Sequence, residues 1–515
     1  MRNSRFFRLA TSLNAILFYT LIFLFIYYGY QNIISLPPQS IHAWRQSDCA
    51  SMAWNYYSTT ANFFTPHFHN LFWAGTGSSA GEFPIIYWLA GMLYRILGPG
   101  EWIFRSLNIL IVFAGLWAYG RTVNLITRDL FWPAMALTAV FVSPAMVYYT
   151  NNFLPDAPAI GLALLGWWFF FQFRNSQNQK HFIWAMVFFT LGMLIKLSAG
   201  ISLLMAGAIW FFEWNQWGKF GEERTIFSKP VWKYLLYFAG SIALIGAWYI
   251  YADIYSKAHD VYFVNKATPL TDLDQGKFQF IIFQYFRYIG PNYYSTLMHL
   301  LLIFLTLTGF SSVGRKYPLL FALSAMSFTG VVAYIYLFFV KFDIHDYYMI
   351  VTSIFPAMIF LQGTQILKAD FPSLFHSPVF KFLVAGFLFY NVYYAKMEMQ
   401  SRYYGNQKNY RTNEAFYEPE FQTFLDSVGV TKDKKVVAIP HIEPNYVLYL
   451  MDRKGWVGNQ YKDYTETMGF VNWRGADFMI ISDTTLFHEP RLQPFMKDTV
   501  GNYRDVYVFR LKNQP

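Results

Sequence analysis

Apolar runs of bilayer length constrain this chain more than any other feature. Residues 11–34, 104–126, 231–254, 317–340 and 347–367 each reach the roughly 20 residues that a helix needs to cross a hydrocarbon core. The runs are continuous and do not alternate every second residue, so they specify helices and not the strands of a barrel. Only 14% of the residues are charged, while 55% are hydrophobic and 22% aromatic; soluble domains carry about a quarter charged. The fold class is therefore an α-helical polytopic membrane protein.

The first run follows the basic stretch "MRNSRFFR", with no small-residue cleavage site before Pro37 and Pro38. It reads as an uncleaved helix with a cytoplasmic N-terminus. Residues 36–103 then form a long external loop, and alternation of the remaining apolar segments gives about eleven spans. Basic residues support this layout, with fifteen on the inner segments against eight on the much longer outer ones before residue 396. The net charge of +10 thus sets orientation and does not imply nucleic acid. Cys49 is the single cysteine, so neither an intramolecular disulfide nor a thiolate zinc cluster can form. No Asn-X-Ser/Thr sequon occurs, which favours a prokaryotic membrane.

Composition changes near residue 396. Charged residues number 31 in the last 120 positions against 39 in the first 395. Residues 1–395 read as the membrane domain and 396–515 as a small soluble α/β domain on the outer side, with "KKVVAIP", "ADFMIIS" and "DVYVFRL" as its short buried strands.

Chemistry-bearing residues recur near the outer ends of the spans. Arg45 and Asp48 lie in "HAWRQSDCASMAWNYY", Glu82 in "GEFPIIYW", Asp156 in "NNFLPDAP", and His345 with Asp346 in "DIHDYY". Lys196 and Arg287 add cations on the same side. Charge beside hydrocarbon is costly, so it is normally paired or functional. The first stretch reads as an amphipathic surface helix, with Trp44, Met52 and Tyr56 anchored at the interface and Arg45, Asp48 and Asn55 on its polar side. Each residue also has a plainer reading. Asp48 can pair with Arg45, Asp156 can cap the helix starting at "APAI", Glu82 suits a first helical turn, and Lys196 and Arg287 can snorkel to headgroups. His345 and Asp346 are adjacent metal-type ligands without a distant partner set.

The ordered series "WRQSDCASMAWNYY", "NFFTPHF", "GEFPIIYWLAGMLYRILGPGEWIFRSLNIL", "NNFLPDAPAI" and "HDYYMIVTSIFPA" resembles the GT-C membrane glycosyltransferases. The branch is that of the protein O-mannosyltransferases and the lipid A aminoarabinose transferase, and the resemblance spans roughly residues 10 to 360. It implies a GT-C fold of about eleven transmembrane helices, juxtamembrane helices in the first external loop and an extracytoplasmic cavity. It implies a polyprenyl-phosphate-linked sugar donor, a protein, lipid or glycan acceptor, and a multi-pass location in a plasma membrane, here a bacterial inner membrane with the C-terminal domain in the periplasm. By residue, Asp48, Glu82 and Asp156 match the catalytic acids, with Asp48 the expected base. Lys196, Arg287 and Arg45 are the expected phosphate-binding cations, and His345, Asp346, Tyr347 and Tyr348 the expected substrate pocket. Phe83 stands where some relatives have Lys, which shifts phosphate binding onto Lys196 and Arg287. No cofactor is specified, and a divalent ion shared by Asp48, Asp156 and His345 is left open. The competing readings are a lipid or glycolipid flippase, which places polar groups at the midplane, and a membrane-anchored scaffold.

Overall fold

The computed structural model describes residues 2–221, 225–261, 268–404, 413–458 and 464–511, with side chains described from residue 12 on. Of the basic residues counted for topology, Arg224 and Lys266 and the side chains of Arg2, Arg5 and Arg8 lie outside this set. The chain divides into two compact units. One comprises Met1–Ile34, Arg105–Trp248 and Asn265–Gln400, and the other Ser35–Phe104, Tyr249–Val264 and Ser401–Pro515.

The first unit is helical. Among the described residues, six helices are long and apolar enough to cross a membrane: Glu101–Thr127, Leu197–Trp214, Val231–Ala258, Pro318–Asp343, Asp346–Asp370 and Pro378–Tyr404. Two further spans result if each bent pair counts as one, giving up to eight where the sequence suggested about eleven. Phe131–Phe141 turns by 87° into Pro144–Thr150, and Gln275–Tyr293 by 89° into Thr296–Phe310. Both bends have a local cause. Ser143 and Ser295 each restart a helix by accepting a backbone N–H three residues on, from Met146 at 3.3 Å and Met298 at 3.2 Å. Ser12–Tyr27 and Gln179–Ile195 are apolar but shorter.

Glycines let these helices approach closely, as small residues do in membrane bundles. A Cβ placed on Gly115 would lie 2.3 Å from the Gly161 carbonyl oxygen, and one on Gly161 would lie 2.7 Å from that of Ile111. The helices Glu101–Thr127 and Asp156–Ser176 therefore touch backbone to backbone. Arg105, fully buried, donates to the Asn151 carbonyl and lies 4.4 Å from the Phe153 ring centre. Asn108 donates to the Asn152 carbonyl at 2.8 Å. Together they hold the "NNFLPD" turn on which the Asp156–Ser176 helix begins.

The second unit joins the first external loop to the C-terminal residues. Its sheet runs β2-β1-β3-β5-β4, with β1 Lys435–Ile439, β2 Lys454–Val457, β3 Phe478–Ile481, β4 Thr499–Tyr503 and β5 Val506–Arg510. β1 is parallel to β2 and β3, whereas β5 is antiparallel to β3 and β4. The three expected strands are β1, β3 and β5. β2 and β4 carry weaker patterns: "KGWV" has only two apolar residues beside a glycine, and "TVGNY" is polar and only partly buried.

The outer edge of β2 is occupied by the external loop. Leu71 donates its N–H to Gly455 at 2.8 Å, Gly455 donates to His69 at 3.0 Å, and Leu71 enters the apolar core of the sheet. The Ala43–Ser58 helix packs against Ile85–Leu97, where Gly91 leaves room for Tyr56 and the Ala53 carbonyl. Ile85–Leu97 has 13 residues, in keeping with a segment that does not span. Met52 and Tyr56 are 4% and 1% exposed; they are core residues of this unit and not the interfacial anchors suggested by the helical pattern. The polar position Asn55 is likewise buried, its amide donating to the Ser51 carbonyl at 2.9 Å.

Candidate active site

The expected site residues fall into two groups, one in each unit. In the loop unit, Arg45 and Asp48 stand one helical turn apart on Ala43–Ser58, with Arg45 Nη1 4.0 Å from Asp48 Oδ2. The closer partner of Arg45 is Glu82, whose Oε1 it bonds through Nη2. Glu82 also accepts from the Tyr87 hydroxyl at 2.6 Å. Asp48 is therefore not the main counterion of Arg45, and the simple pairing reading gives way to a three-residue cluster. Asn445, which precedes the Tyr446–Met451 helix, donates its side-chain amide to Asp48 Oδ1 at 2.8 Å.

Burial sets the electrostatics of this cluster. Loss of solvent pushes the Asp48 carboxyl up to about 6, partly offset by Arg45 and by the amide of Asn445, while Glu82 adds to the rise. Burial also pushes the neighbouring Cys49 thiol up to about 12, so Cys49 is a protonated, inert side chain at neutral pH. Asp48 is thus a carboxylate poised near neutrality, the property wanted in a general base.

In the membrane unit, Asp156 is the first residue of its helix and fully buried. Pro155 occupies the capping position, and no side-chain cap bond forms there; Asp156 instead meets Lys196 Nζ at 2.7 Å. Lys196 follows the Gln179–Ile195 helix in an extended conformation, and its side chain is only 16% exposed. It does not snorkel. Its ammonium lies 4.9 Å from the Tyr348 ring centre and 5.5 Å from that of Tyr347, within cation–π range. His345 packs on the same two rings, at 5.4 and 6.0 Å. Asp346 accepts from the Tyr149 hydroxyl at 2.6 Å, which fixes the start of the "DYY" turn.

Arg287 stands apart from this group. It is exposed on the π-helical turn Tyr285–Ile289 and lies 5.5 and 5.3 Å from the Phe283 and Tyr288 ring centres. Among the described residues it makes no contact with Lys196. No group of three or more His, Cys, Asp or Glu side chains among the described residues is arranged to hold a metal ion.

Sequence reading missed Arg105, Asn108, Tyr149 and Asn445. Arg105 carried a usable signal, a charge inside the apolar stretch "WIFRSLNIL". Asn445 carried none, because it meets Asp48 across 397 positions of sequence.

With this geometry in place, the chain can be set beside known proteins. The family model for dolichyl-phosphate-mannose-protein mannosyltransferases matches residues 81–251, a third of the chain. No curated protein matches by sequence. Among solved structures, ArnT from Cupriavidus metallidurans is similar in its apo state with a TM-score of 0.57 at 12% identity, covering 95% of this chain and 97% of that one. The same protein bound to undecaprenyl phosphate gives 0.55 at the same identity and coverage. The Archaeoglobus fulgidus oligosaccharyltransferase, in complex with Zn and sulfate, gives 0.54 at 13% identity, covering 91% of this chain and 68% of its own. The fold is that of the GT-C membrane glycosyltransferases. Glu82, Asp156 and Lys196 fall inside the stretch matched by the family model, while Arg45, Asp48, Arg287 and the His345–Tyr348 turn fall outside it.

Proposed function

We propose that this GT-C chain moves a sugar from a polyprenyl-phosphate-linked donor to an acceptor hydroxyl on the extracytoplasmic side. The observation that carries the reading is Asp48, a carboxyl drawn toward neutral pH by burial and aimed by a fixed amide. A transferase needs a base for the acceptor, and a buried carboxyl that titrates near neutral pH can serve as one. The ArnT structure bound to undecaprenyl phosphate supports a lipid-phosphate donor for a protein of this fold.

In the proposed step the acceptor oxygen attacks the anomeric carbon as its proton passes to Asp48. The bond from that carbon to the phosphate oxygen breaks with its electron pair, leaving polyprenyl phosphate, and the configuration inverts. Lys196 meets the phosphate charge, with Arg287 as the more exposed second cation; fixed positive charge beside a developing anion stabilises the transition state. Asp156 and the Tyr347 and Tyr348 rings hold Lys196 in place. Arg45 and Glu82 orient Asp48, and His345 with Asp346 shapes the donor pocket. The acceptor is a protein, lipid or glycan.

The test is transfer by purified protein in liposomes carrying a radiolabelled polyprenyl-phospho-sugar. Acceptor-dependent release of polyprenyl phosphate is the expected result, with Asp48→Asn slower by about 10²-fold or more. Movement of the donor between leaflets without bond cleavage would replace this reading by the flippase. Near wild-type turnover in Asp48→Asn would assign the base elsewhere.

A further inference from the structure

A second set of cations gathers at the other end of the membrane unit. A hollow of about 290 Å³ is lined by Arg128, Arg174, Lys316, Tyr317, Gln365 and Lys368, with accessible apolar walls from Leu125, Ile126 and Pro318. Arg174 and Asp156 lie near opposite ends of the 21-residue Asp156–Ser176 helix, roughly 27 Å apart at about 1.5 Å per residue. Gln365 and Lys368 likewise close the Asp346–Asp370 stretch that Tyr347 and Tyr348 open. The hollow is thus separate from the Lys196–Asp156 pair.

Its lining is basic. Four different segments each contribute one cation, and among the described residues the lining carries no carboxylate. One carboxylate adjoins it from outside the lining: Asp370 pairs with Lys316 at 2.6 Å and accepts from the Tyr317 hydroxyl at 2.6 Å. Lys368 donates to the Ile126 carbonyl at 2.6 Å, which fixes its ammonium against the wall. Arg128 sits at φ 52°, a left-handed conformation that glycine or asparagine fills more readily. Its N–H closes the preceding helix on Asn124 at 2.9 Å. Basic residues that only set topology spread along helix ends; these four surround one cavity.

We infer that this hollow binds the phosphate headgroup of an anionic phospholipid, in the leaflet opposite the Lys196–Asp156 pair. Basic pockets between membrane helices take such headgroups, and the Leu125, Ile126 and Pro318 side would meet the glycerol and acyl portion. A free phosphate ion would leave that apolar side without a partner.

Native mass spectrometry of the delipidated full chain, titrated with phosphatidylglycerol, phosphatidylethanolamine or inorganic phosphate, decides the matter. The wild type is expected to prefer phosphatidylglycerol over phosphatidylethanolamine, and Arg128→Gln with Arg174→Gln to weaken it by about fivefold per cation removed. Lys368→Arg should keep the preference, and so should Lys257→Gln, which removes a cation paired with Asp253 in the other unit. Should the double variant lose its fold, the exposed Arg128→Gln alone carries the same expectation. Equal binding of the two lipids, no effect of the Gln variants, or displacement of phosphatidylglycerol by equimolar inorganic phosphate would each overturn the inference.

Discussion

At the scale of single residues, Asp48 shows how function and stability pull apart. Its carboxyl titrates near 6 in the folded chain because burial opposes its charge, against about 3.9 in an unfolded one. The folded state therefore holds its proton longer. The contribution of Asp48 to stability is most favourable below about pH 4, where both states are protonated, and declines as pH rises through about 6; the charged form costs up to about 3 kcal/mol above that. Asn at this position removes the charge and still accepts the Asn445 amide, while Arg45 keeps Glu82. Asp48→Asn is thus expected to melt higher than wild type at pH 8 while losing transfer, checked by thermal unfolding in detergent beside the liposome assay. The acidic limb of the kcat/KM profile should fall with an apparent pKa near 6 in the wild type. The residues themselves were legible as charges beside apolar runs, but their environments were not. Sequence placed Asp48 and Arg45 on one helical face, yet gave no sign that Glu82 would take the guanidinium or that Asn445 would reach Asp48.

At the scale of elements, the crossing of Glu101–Thr127 with Asp156–Ser176 has no slack. A methyl group on Gly115 or Gly161 would meet backbone atoms at 2.3 to 2.9 Å, and backbone cannot rotate away as a side chain can. Gly161→Ala should cost about 1–3 kcal/mol through overpacking, read as a lower melting temperature. Because Asp156 opens the same helix, transfer should fall as well. Gly240→Ala is the contrasting case, since a Cβ there meets nothing within 4 Å and alanine favours a helix interior by about 1 kcal/mol over glycine. It should melt no lower than wild type. Element existence was legible from long apolar runs, and element breaks were not. Nothing in hydropathy registers a serine that starts a new helix at a sharp bend, as Ser143 and Ser295 do.

At the scale of the whole molecule, composition marked a charged C-terminal region but could not reveal its partner, because composition carries no pairing information. The loop–sheet pairing at Gly455 involves two residues of the external loop and one of β2, too few to leave a pattern. Asn445 concentrates that coupling. Its Oδ1 accepts the Asn70 N–H at 2.8 Å while its Nδ2 donates to Asp48 at 2.8 Å, and it is buried. Asn445→Ala leaves a buried donor and a buried carboxylate without this partner, which should cost about 1–3 kcal/mol. Losing the amide also removes an interaction that favours the charged carboxylate, so the acidic limb of the rate profile should move upward from about 6. Asn445→Asp separates the two effects, since its carboxylate can still accept from Asn70 but repels Asp48: it should raise the limb further, and by the same linkage its melting temperature should fall more steeply than that of Asn445→Ala as pH rises through the limb. A variant pair that lowers stability without moving the limb would make Asn445 a structural tie alone, and the C-terminal sheet a support for the loop with no hold on its acid.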